Sequence, residues 1–323
     1  MSARAFAGTV SSLVERRAVL LEGLPAEVTV YEVSPRDGLQ NESVVVPTAT
    51  KLELISRLVG AGLKAVEVTS LVRAEWVPQL ADGDELLERL ERPEGVRFGV
   101  LVPNLRGLER ALAASVGEIA VFASATESFA LANLHRSRRD SMAVFAEVAK
   151  GARSHGVAVR GYVSMCFGDP DEGPVPLGDV VGTVGELFEM GCYEVSVADT
   201  IGVASPGQVH ELIGAIGATG VDPGRLAVHF HDTYGQALAN SLAALRAGVK
   251  TIDSSAGGLG GCPYARSAAG NLATEDLVFM LEGLGIRTGI DLGALVETSI
   301  WMETKLGRPS PSRVVAAFRK EAR

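Results

Sequence analysis

Short runs of β-branched and apolar residues alternate with amphipathic helical runs from Val28 onward, and this alternation constrains the fold more than any other feature. Parallel strands need crossover connections, so a strict strand–helix alternation predicts a parallel sheet covered by helices. Eight such units over about 260 residues match the size of a (β/α)8 TIM barrel. The predicted strands span residues 28–33, 65–69, 98–102, 119–123, 158–164, 193–197, 226–231 and 251–254.

A doubly wound open sheet is the alternative fold, and the first strand argues against it. Such a sheet is expected to carry a glycine-rich phosphate turn after its first strand, and none follows Val33. We therefore predict a TIM barrel with an N-terminal extension and additional C-terminal helices. The predicted boundaries are 1–25 for the extension, 26–285 for the catalytic barrel and 286–323 for helices packed on the barrel.

Composition excludes several classes of partner. The net charge of −9 argues against nucleic acid and against an anionic membrane, although a cleft can still bind a small anionic substrate. The N-terminal residues contain no long apolar run, which argues against a signal peptide or a membrane span. Three cysteines without a close-spaced pair predict neither disulfides nor a zinc knuckle, and a cytoplasmic location fits them.

The carboxyl ends of barrel strands form the active-site face, so the polar residues there are informative. Arg36 and Asp37 follow the first strand, and Glu67 interrupts the second. Asp37 is a candidate metal ligand and Arg36 a candidate partner for negative charge on a substrate. A local salt-bridged turn is the alternative. A buried carboxylate needs a partner, so we expect Glu67 to meet Arg36, either for catalysis or as a structural ion pair.

The seventh strand carries the sharpest signal, because two of the five histidines lie two positions apart there. Side chains two positions apart share one face of a strand, so His229 and His231 can reach one metal ion. Asp37 and the amide oxygen of Asn271 would complete a mixed nitrogen and oxygen ligand set. Such a set favours Mg²⁺ or Mn²⁺ over a thiolate-type zinc site, and zinc stays open.

Three further features are ambiguous. Asp199, at the end of the sixth strand, is a candidate acid or base, a histidine-orienting group or a helix cap. Asn104, after the third strand, is a candidate substrate contact or a helix cap. Residues 254–265 hold four glycines within five positions, followed by Cys262. Such a loop after the eighth strand predicts a lid that delivers an acid or a nucleophile, with a loose surface turn as the alternative.

Four segments together resemble the 3-hydroxy-3-methylglutaryl-CoA (HMG-CoA) lyase family. They are residues 35–42, 229–240, 258–265 and 270–277, and the resemblance spans roughly residues 28–284. The family's barrel cleaves HMG-CoA to acetyl-CoA and acetoacetate. The wider superfamily includes isopropylmalate and citramalate synthases and shares the Arg-Asp pair and the His-x-His strand. The glycine-rich loop with Cys262 points to the lyase branch.

The resemblance also implies roles for individual residues. It implies the divalent-metal ligands Asp37, His229, His231 and Asn271. It implies the catalytic residues Arg36, Glu67, Asp199, His229 and Cys262. It implies the nearby substrate-binding residues Gln40, Ser70 and Ser196.

These residue types suit a retro-Claisen cleavage, which deprotonates a tertiary hydroxyl, breaks a carbon–carbon bond and reprotonates a thioester enolate. Asp199 or His229 could take the hydroxyl proton, and we favour Asp199, acting with His229, as the base. Arg36 would stabilise the charge that develops on the thioester oxygen. Cys262 is better suited to protonate the enolate than to form a covalent intermediate.

Two loops depart from the family pattern and leave the acyl group open. Residues 133–140 are unusually basic and either meet the CoA phosphates or form a solvated surface loop. Residues 167–173 also differ from the usual run. The rival functions are cleavage of a longer 3-hydroxy-3-alkylglutaryl-CoA, as in isoprenoid degradation, condensation of acetyl-CoA with a 2-oxo acid, and non-catalytic binding. The resemblance further implies a homodimer and a place in leucine or ketone-body metabolism.

Overall fold

The computed structural model describes residues 18–260 and 270–321, and eight parallel strands within them close into a barrel in chain order. The predicted (β/α)8 TIM barrel is therefore confirmed. The strands are β1 (Thr29–Glu32), β2 (Ala65–Ser70), β3 (Arg97–Leu101), β4 (Glu118–Ser124), β5 (Ala158–Ser164), β6 (Glu194–Asp199), β7 (Leu226–Phe230) and β8 (Thr251–Ser254).

Helices cover the outside of the barrel, as crossovers between parallel strands require. Those between the strands are α1 (Thr48–Gly60), α2 (Gly83–Arg89), α3 (Leu105–Ala113), α4 (Glu127–Leu134), α5 (Arg138–Ser154), α6 (Leu177–Glu189), α7 (Pro206–Ala218) and α8 (Ala237–Arg246). Those after β8 are α9 (Thr274–Gly283), α10 (Leu292–Leu306) and α11 (Arg313–Glu321). Across the part of the chain that the structure describes, no helix is long and apolar enough to cross a membrane.

The strand ends differ from the predicted ends in one way that affects the site. His231 was predicted within the seventh strand, but β7 ends at Phe230 and His231 lies one residue beyond it. His231 instead forms an isolated antiparallel bridge with Asn271, and the Leu272 N–H donates to the Phe230 carbonyl at 3.0 Å. The segment after the glycine-rich loop therefore lies directly beside the end of β7.

The two faces of each strand meet different environments. In β2, Val66 and Val68 belong to the apolar core between strands and helices, whereas Glu67 is out of phase with them and meets Arg36 inside the barrel. The period-2 pattern explains why a carboxylate stands between two β-branched residues. The sequence therefore supplies an apolar outer face and a polar inner face within one short strand.

Ion pairs occupy the middle of the barrel, where bulky aliphatic residues are usual. Arg160 is fully buried, with its Nε 2.7 Å from Glu194 and its Nη2 2.7 Å from Asp253. Its guanidinium carbon lies 4.1 Å from the ring centroid of Tyr31 and 4.7 Å from that of Tyr162. Burying charges is costly unless their geometry is good, and here each group of Arg160 faces a carboxylate or an aromatic ring.

The C-terminal residues hold the loops at the active-site end of the barrel. Arg308 pairs with Glu42, which follows β1, and the Ser310 hydroxyl donates to the Gly257 carbonyl at 2.7 Å. The Gly257 N–H donates to both carboxyl oxygens of Glu275, which also accepts a hydrogen bond from Ser299. Gly257 has φ of 65°, a left-handed conformation that suits glycine. These contacts anchor the start of the glycine-rich loop.

We predict that Glu275 makes stability depend on pH. Burial raises its pKa from 4.5 to about 8, so the folded state holds this proton more tightly than the unfolded state. Its contribution to stability is full below about pH 4.5 and is lost as pH rises to about 8. Glu275→Gln should remove this loss and flatten the fall in melting temperature between pH 5 and pH 8.

Thermal unfolding in a pH series measures this effect. Glu53→Gln, on the exposed face of α1, is the matched control and should keep the slope of the unsubstituted chain. Equal slopes for the Glu275→Gln variant and the unsubstituted chain would show that Glu275 does not carry the effect.

Candidate active site

A tight turn after β1 presents Arg36 and Asp37 to the barrel mouth. Residues Ser34–Gly38 form a single π-helical turn in which the N–H groups of Arg36, Asp37 and Gly38 all point to the Val33 carbonyl. A Cβ atom on Gly38 would fall 2.7 Å from the Ser255 hydroxyl oxygen, so no larger residue fits there without a shift. The turn therefore fixes both charged side chains through the backbone.

Arg36 is fixed by two carboxylates. Its Nε lies 2.5 Å from Glu67 and its Nη1 lies 2.6 Å from Asp37. Burial disfavours the charged guanidinium, but Glu67 and Asp37 more than compensate and raise the pKa of Arg36 above its usual value. Burial likewise raises the pKa of Glu67, although the charge of Arg36 opposes this. Arg36 is therefore a permanent cation held in one orientation.

Asp37 and the two histidines form the one cluster among the described residues that could hold a metal ion. One ligand atom from each of Asp37, His229 and His231 lies within 4.8 Å of the others, and His229 Nε2 is 3.9 Å from Asp37 Oδ2. Despite its burial, the pKa of Asp37 is lowered to about 2 by Arg36 and the histidines. Burial and the neighbouring His229 lower the pKa of His231 to about 4. An ionised carboxylate beside a neutral imidazole suits metal binding.

Asn271 completes this cluster. Its Nδ2 donates to Asp37 Oδ2 at 2.8 Å and to the Leu259 carbonyl at 3.0 Å. Its Oδ1 is buried and has no hydrogen-bond partner among the described residues. Leaving a buried amide oxygen unpaired costs about 1–3 kcal/mol, so this oxygen indicates a missing partner at the cluster. A cation is such a partner.

The charge balance around the mouth also fits a divalent cation. Two positive and four negative groups form two sets of ion pairs, one at the mouth and one in the middle of the barrel, which together give a net charge of −2 when all are ionised. The groups are Arg36, Arg160, Asp37, Glu67, Glu194 and Asp253. Uncompensated buried charge is strongly unfavourable, and one divalent cation would neutralise it. The donor set of carboxylate, imidazole and amide oxygen matches such an ion.

A cavity of about 390 Å³ opens directly over the cluster. Its polar wall includes Arg36, Asp37, Gln40, Ser70, Tyr162, His229 and His231. Its apolar wall includes Trp76, Leu101, Phe122, Phe129 and Leu134. The Tyr162 hydroxyl is buried and has no hydrogen-bond partner in the described part of the chain. The cavity can therefore hold a ligand in which a small polar group lies next to an apolar group.

The structure brings most of the predicted site residues together. Gln40 and Ser70 line the cavity, and the Gln40 amide donates to Asp37 Oδ1 at 2.9 Å. Ser196 is fully buried below the cavity, where its hydroxyl donates to Asp253 Oδ2 at 2.8 Å. Ser196 therefore supports a carboxylate and does not line the cavity. Cys262 lies outside the described residues.

Asn104 and Asp199 are placed differently from the other predicted residues. Asn104 accepts a hydrogen bond from the Gly107 N–H, which caps α3, and it lines a second, more open cavity. Asn104 thus lies outside the central cavity, and substrate contact there stays a prediction. Asp199 is buried and is also absent from the lining of the central cavity; it accepts from the N–H groups of Val203 and Ala204, both at 2.9 Å, and burial raises its pKa to about 6.

Sequence reasoning missed three residues of this site, namely Asp253, Arg160 and Tyr162. Asp253 interrupts the apolar run of β8 as Glu67 interrupts that of β2, so the same signal was present. Arg160 and Tyr162 alternate on one face of β5, where an arginine within a strand indicates a buried partner. Because side chains alternate between the two faces of a strand, the sequence could have indicated that these residues face the barrel interior.

A closed (β/α)8 barrel with an Asp-His-His cluster at its mouth defines a class, the barrel enzymes with a candidate metal centre. The HMGL-like family matches residues 27–301, which is most of the chain. The mitochondrial hydroxymethylglutaryl-CoA lyase of Arabidopsis thaliana is 50% identical over 299 residues, which cover 93% of this chain and 64% of that protein. This chain thus spans slightly less than two thirds of that relative. The chain belongs to the HMG-CoA lyase family.

Solved structures agree with this membership. Hydroxymethylglutaryl-CoA lyase from Pseudomonas aeruginosa superposes with a TM-score of 0.90 at 46% identity, covering 93% of this chain and 99% of that one. An HMG-CoA lyase from Acinetobacter baumannii in complex with coenzyme A and 3-methylmalate gives a TM-score of 0.87 at 37% identity. That match covers 93% of this chain and 97% of the other.

We predict that one substitution weakens metal binding and that another removes the charge-stabilising residue without weakening metal binding. His231→Ala should weaken Mn²⁺ binding by at least about tenfold, because it removes one of the few ligands. Arg36→Gln should leave Mn²⁺ bound at least as tightly, because it removes a positive charge next to the cluster. Calorimetric titration of the metal-free chain with Mn²⁺ measures both affinities. Loss of Mn²⁺ binding in the Arg36→Gln variant would instead give Arg36 a structural role.

Proposed function

We propose that this chain cleaves HMG-CoA to acetyl-CoA and acetoacetate, with a divalent cation as cofactor. The observation that carries the proposal is the convergence of Asp37, His229, His231 and Arg36 on one cavity at the barrel mouth. Membership of the HMG-CoA lyase family supports the substrate. The coenzyme A complex of the Acinetobacter baumannii relative supports an acyl-CoA partner.

Asp37, His229, His231 and Asn271 would hold the cation, which we propose to be Mg²⁺ or Mn²⁺ from the mixed oxygen and nitrogen donors. When bound, such an ion lowers the pKa of a coordinated hydroxyl and orients it. Gln40 donates to Asp37 and thereby fixes the rotamer of that carboxylate. These residues place the reacting end of the substrate beside Arg36.

Arg36 stabilises the charge that forms when the carbon–carbon bond breaks. The bonding electrons pass to the thioester carbonyl, so its oxygen becomes an enolate. Arg36 uses one N–H on Glu67 and one on Asp37, and a guanidinium has five, so donors remain for this oxygen. A fixed donor of this kind contributes about 3 kcal/mol to the transition state. Glu67 acts as a positioning residue for Arg36.

Tyr162 offers a second donor to the substrate. Its ring lies between Arg160 and Arg36, with the Arg36 guanidinium carbon 5.7 Å from its centroid. Burial raises the pKa of Tyr162 well above its usual value, so the phenol stays protonated and can donate a hydrogen bond. Its unpaired hydroxyl at the cavity wall supports contact with a substrate oxygen.

We assign the proton transfers to two residues. We propose that Asp199 accepts the hydroxyl proton together with His229, which lines the cavity, and the raised pKa of Asp199, about 6, suits a base near neutral pH. Its backbone hydrogen bonds from Val203 and Ala204 hold the carboxylate in one orientation. Cys262, which is known here from the sequence alone, reprotonates the enolate carbon from the glycine-rich loop.

A longer 3-alkyl group on the substrate is the alternative, because the cavity wall includes Trp76, Phe129 and Leu134. A methyl group fills little of such a wall. We further propose a homodimer, a cytoplasmic location and a role in leucine degradation and ketone-body metabolism, on the strength of the family resemblance and the cysteine usage. The net charge of −9 of the chain opposes binding to nucleic acid and to an anionic membrane.

We expect the chain to release acetyl-CoA from HMG-CoA only when Mg²⁺ or Mn²⁺ is present. Arg36→Gln should lower kcat by at least about a hundredfold, because a transition-state contact is lost. The measurement is acetyl-CoA formation from HMG-CoA and from analogues with longer 3-alkyl groups. Activity on an analogue without activity on HMG-CoA would identify the analogue as the substrate. No activity on either would overturn the proposal.

Tyr162→Phe should lower kcat/KM by about tenfold or more, because it removes one hydrogen bond to the substrate and keeps the ring. Tyr234→Phe, on an exposed tyrosine outside the cavity, is the matched control and should leave kcat/KM unchanged. Steady-state kinetics on HMG-CoA measure both variants. Full activity in the Tyr162→Phe variant would show that its hydroxyl does not contact the substrate.

A further inference from the structure

A buried carboxylate lies behind one of the two clustered histidines. Asp253 in β8 is in register with His229 in the neighbouring strand β7. Asp253 Oδ2 lies 3.5 Å from His229 Nδ1, and His229 Nε2, across the same ring, faces Asp37 Oδ2 at 3.9 Å. The imidazole therefore lies between Asp253 and the metal cluster, with one ring nitrogen towards each.

Asp253 is itself held rigidly. The Arg160 Nη2 donates to Asp253 Oδ1 at 2.7 Å, and the Ser196 hydroxyl donates to Oδ2 at 2.8 Å. The side chain of Asp253 is fully buried, and so is that of Arg160. A carboxylate fixed from two sides can fix its neighbour in turn. Its contact with His229 is longer than a formed hydrogen bond, and such contacts commonly tighten when the ligand binds.

The charges explain why a carboxylate stands at this position. Arg160 pairs with two carboxylates, Glu194 and Asp253, so one negative charge is left in excess inside the barrel. Excess buried charge needs a cation nearby. Asp253 is the carboxylate that turns towards His229, and a cation bound at His229 Nε2 would lie on the far side of that ring. Glu194 instead accepts a hydrogen bond from Thr251.

The second histidine lacks this arrangement. His229 Nδ1 and His231 Nδ1 are both buried without a formed hydrogen bond among the described residues, but of the two only His229 Nδ1 has a carboxylate beside it there, that of Asp253 at 3.5 Å. The rings of His229 and His231 are 5.3 Å apart between centroids and inclined by 48°. Asp253 therefore acts on one ligand of the pair, and its effect can be tested separately from the effect of losing a histidine.

We propose that Asp253 is a positioning residue that keeps the proton of His229 on Nδ1 and aims Nε2 at the divalent cation. The inference rests on the metal site of the proposed function. Metal-ligating histidines generally donate their other ring N–H to a carboxylate, a carbonyl or water, and losing that partner weakens metal affinity by about 10- to 100-fold. Arg160 and Ser196 hold Asp253 in place for this role.

Asp253→Asn in the full chain tests the proposal, with Glu194→Gln as the matched control. Both substitutions remove one carboxylate charge from Arg160, but only the first removes it from His229. Calorimetric titration with Mn²⁺ should show about 10- to 100-fold weaker binding for Asp253→Asn. The Glu194→Gln variant should weaken Mn²⁺ binding by a clearly smaller factor, because it removes the same charge but keeps the carboxylate behind His229.

Two further readouts separate positioning from folding. Nitrogen-15 spectra of labelled histidine should lose the protonated Nδ1 state of His229 in the Asp253→Asn variant and keep it in the control. Ser196→Ala removes one hydrogen bond to Asp253 without changing a charge, so it should weaken Mn²⁺ binding by a smaller factor. If the Asp253→Asn variant does not fold, the Ser196→Ala variant tests the positioning role of Asp253 in its place.

Equal weakening of Mn²⁺ binding in Asp253→Asn and Glu194→Gln would overturn the proposal, because the effect would then be general electrostatics. Unchanged binding in Asp253→Asn, or in Ser196→Ala where that variant replaces it, would overturn it as well. Absence of Mn²⁺ binding by the unsubstituted chain is a different result, which would contradict the metal site itself.

Discussion

The excess of negative charge buried in the middle and at the mouth of the barrel is the constraint on which the site depends. Two arginines face four carboxylates in and below the cavity, and such an arrangement is costly unless a cation completes it. Each arginine is fixed by two carboxylates, so neither can rearrange to remove the imbalance. Binding of the proposed divalent cation would therefore also balance the charges that organise the site.

The barrel provides this arrangement because all its parallel strands end at the same face. Glu67, His229 and Asp253 lie near the ends of strands that are far apart in sequence, and the π-helical turn after β1 adds Arg36 and Asp37. Apolar residues on the outward face of each strand pack against the helices. The ionic interior is thus built on a conventional hydrophobic outer layer, which supplies the stability that buried charges do not.

The local sequence pattern was sufficient to predict the barrel and the cluster of candidate metal ligands. Period-2 runs of β-branched residues and the helices between them predicted eight parallel strands, because that spacing permits few other folds. The paired histidines and the Arg-Asp turn predicted what lies at the mouth. His231 was placed within a strand, whereas β7 ends one residue before it and His231 forms an isolated antiparallel bridge with Asn271. Asn104 caps a helix, which is the alternative that its loop position left open.

The sequence by itself determined the fold, the family and which residue types meet at the mouth. Only the tertiary structure decided which atoms face each other. Ser196 supports Asp253 rather than lining the cavity, and Asp253 stands behind His229, because neighbouring strands of the barrel fix those registers. Which side chains meet inside a barrel depends on the stagger of the strands and on the closure of the sheet. These are properties of all eight strands together, so no single stretch of sequence contains them.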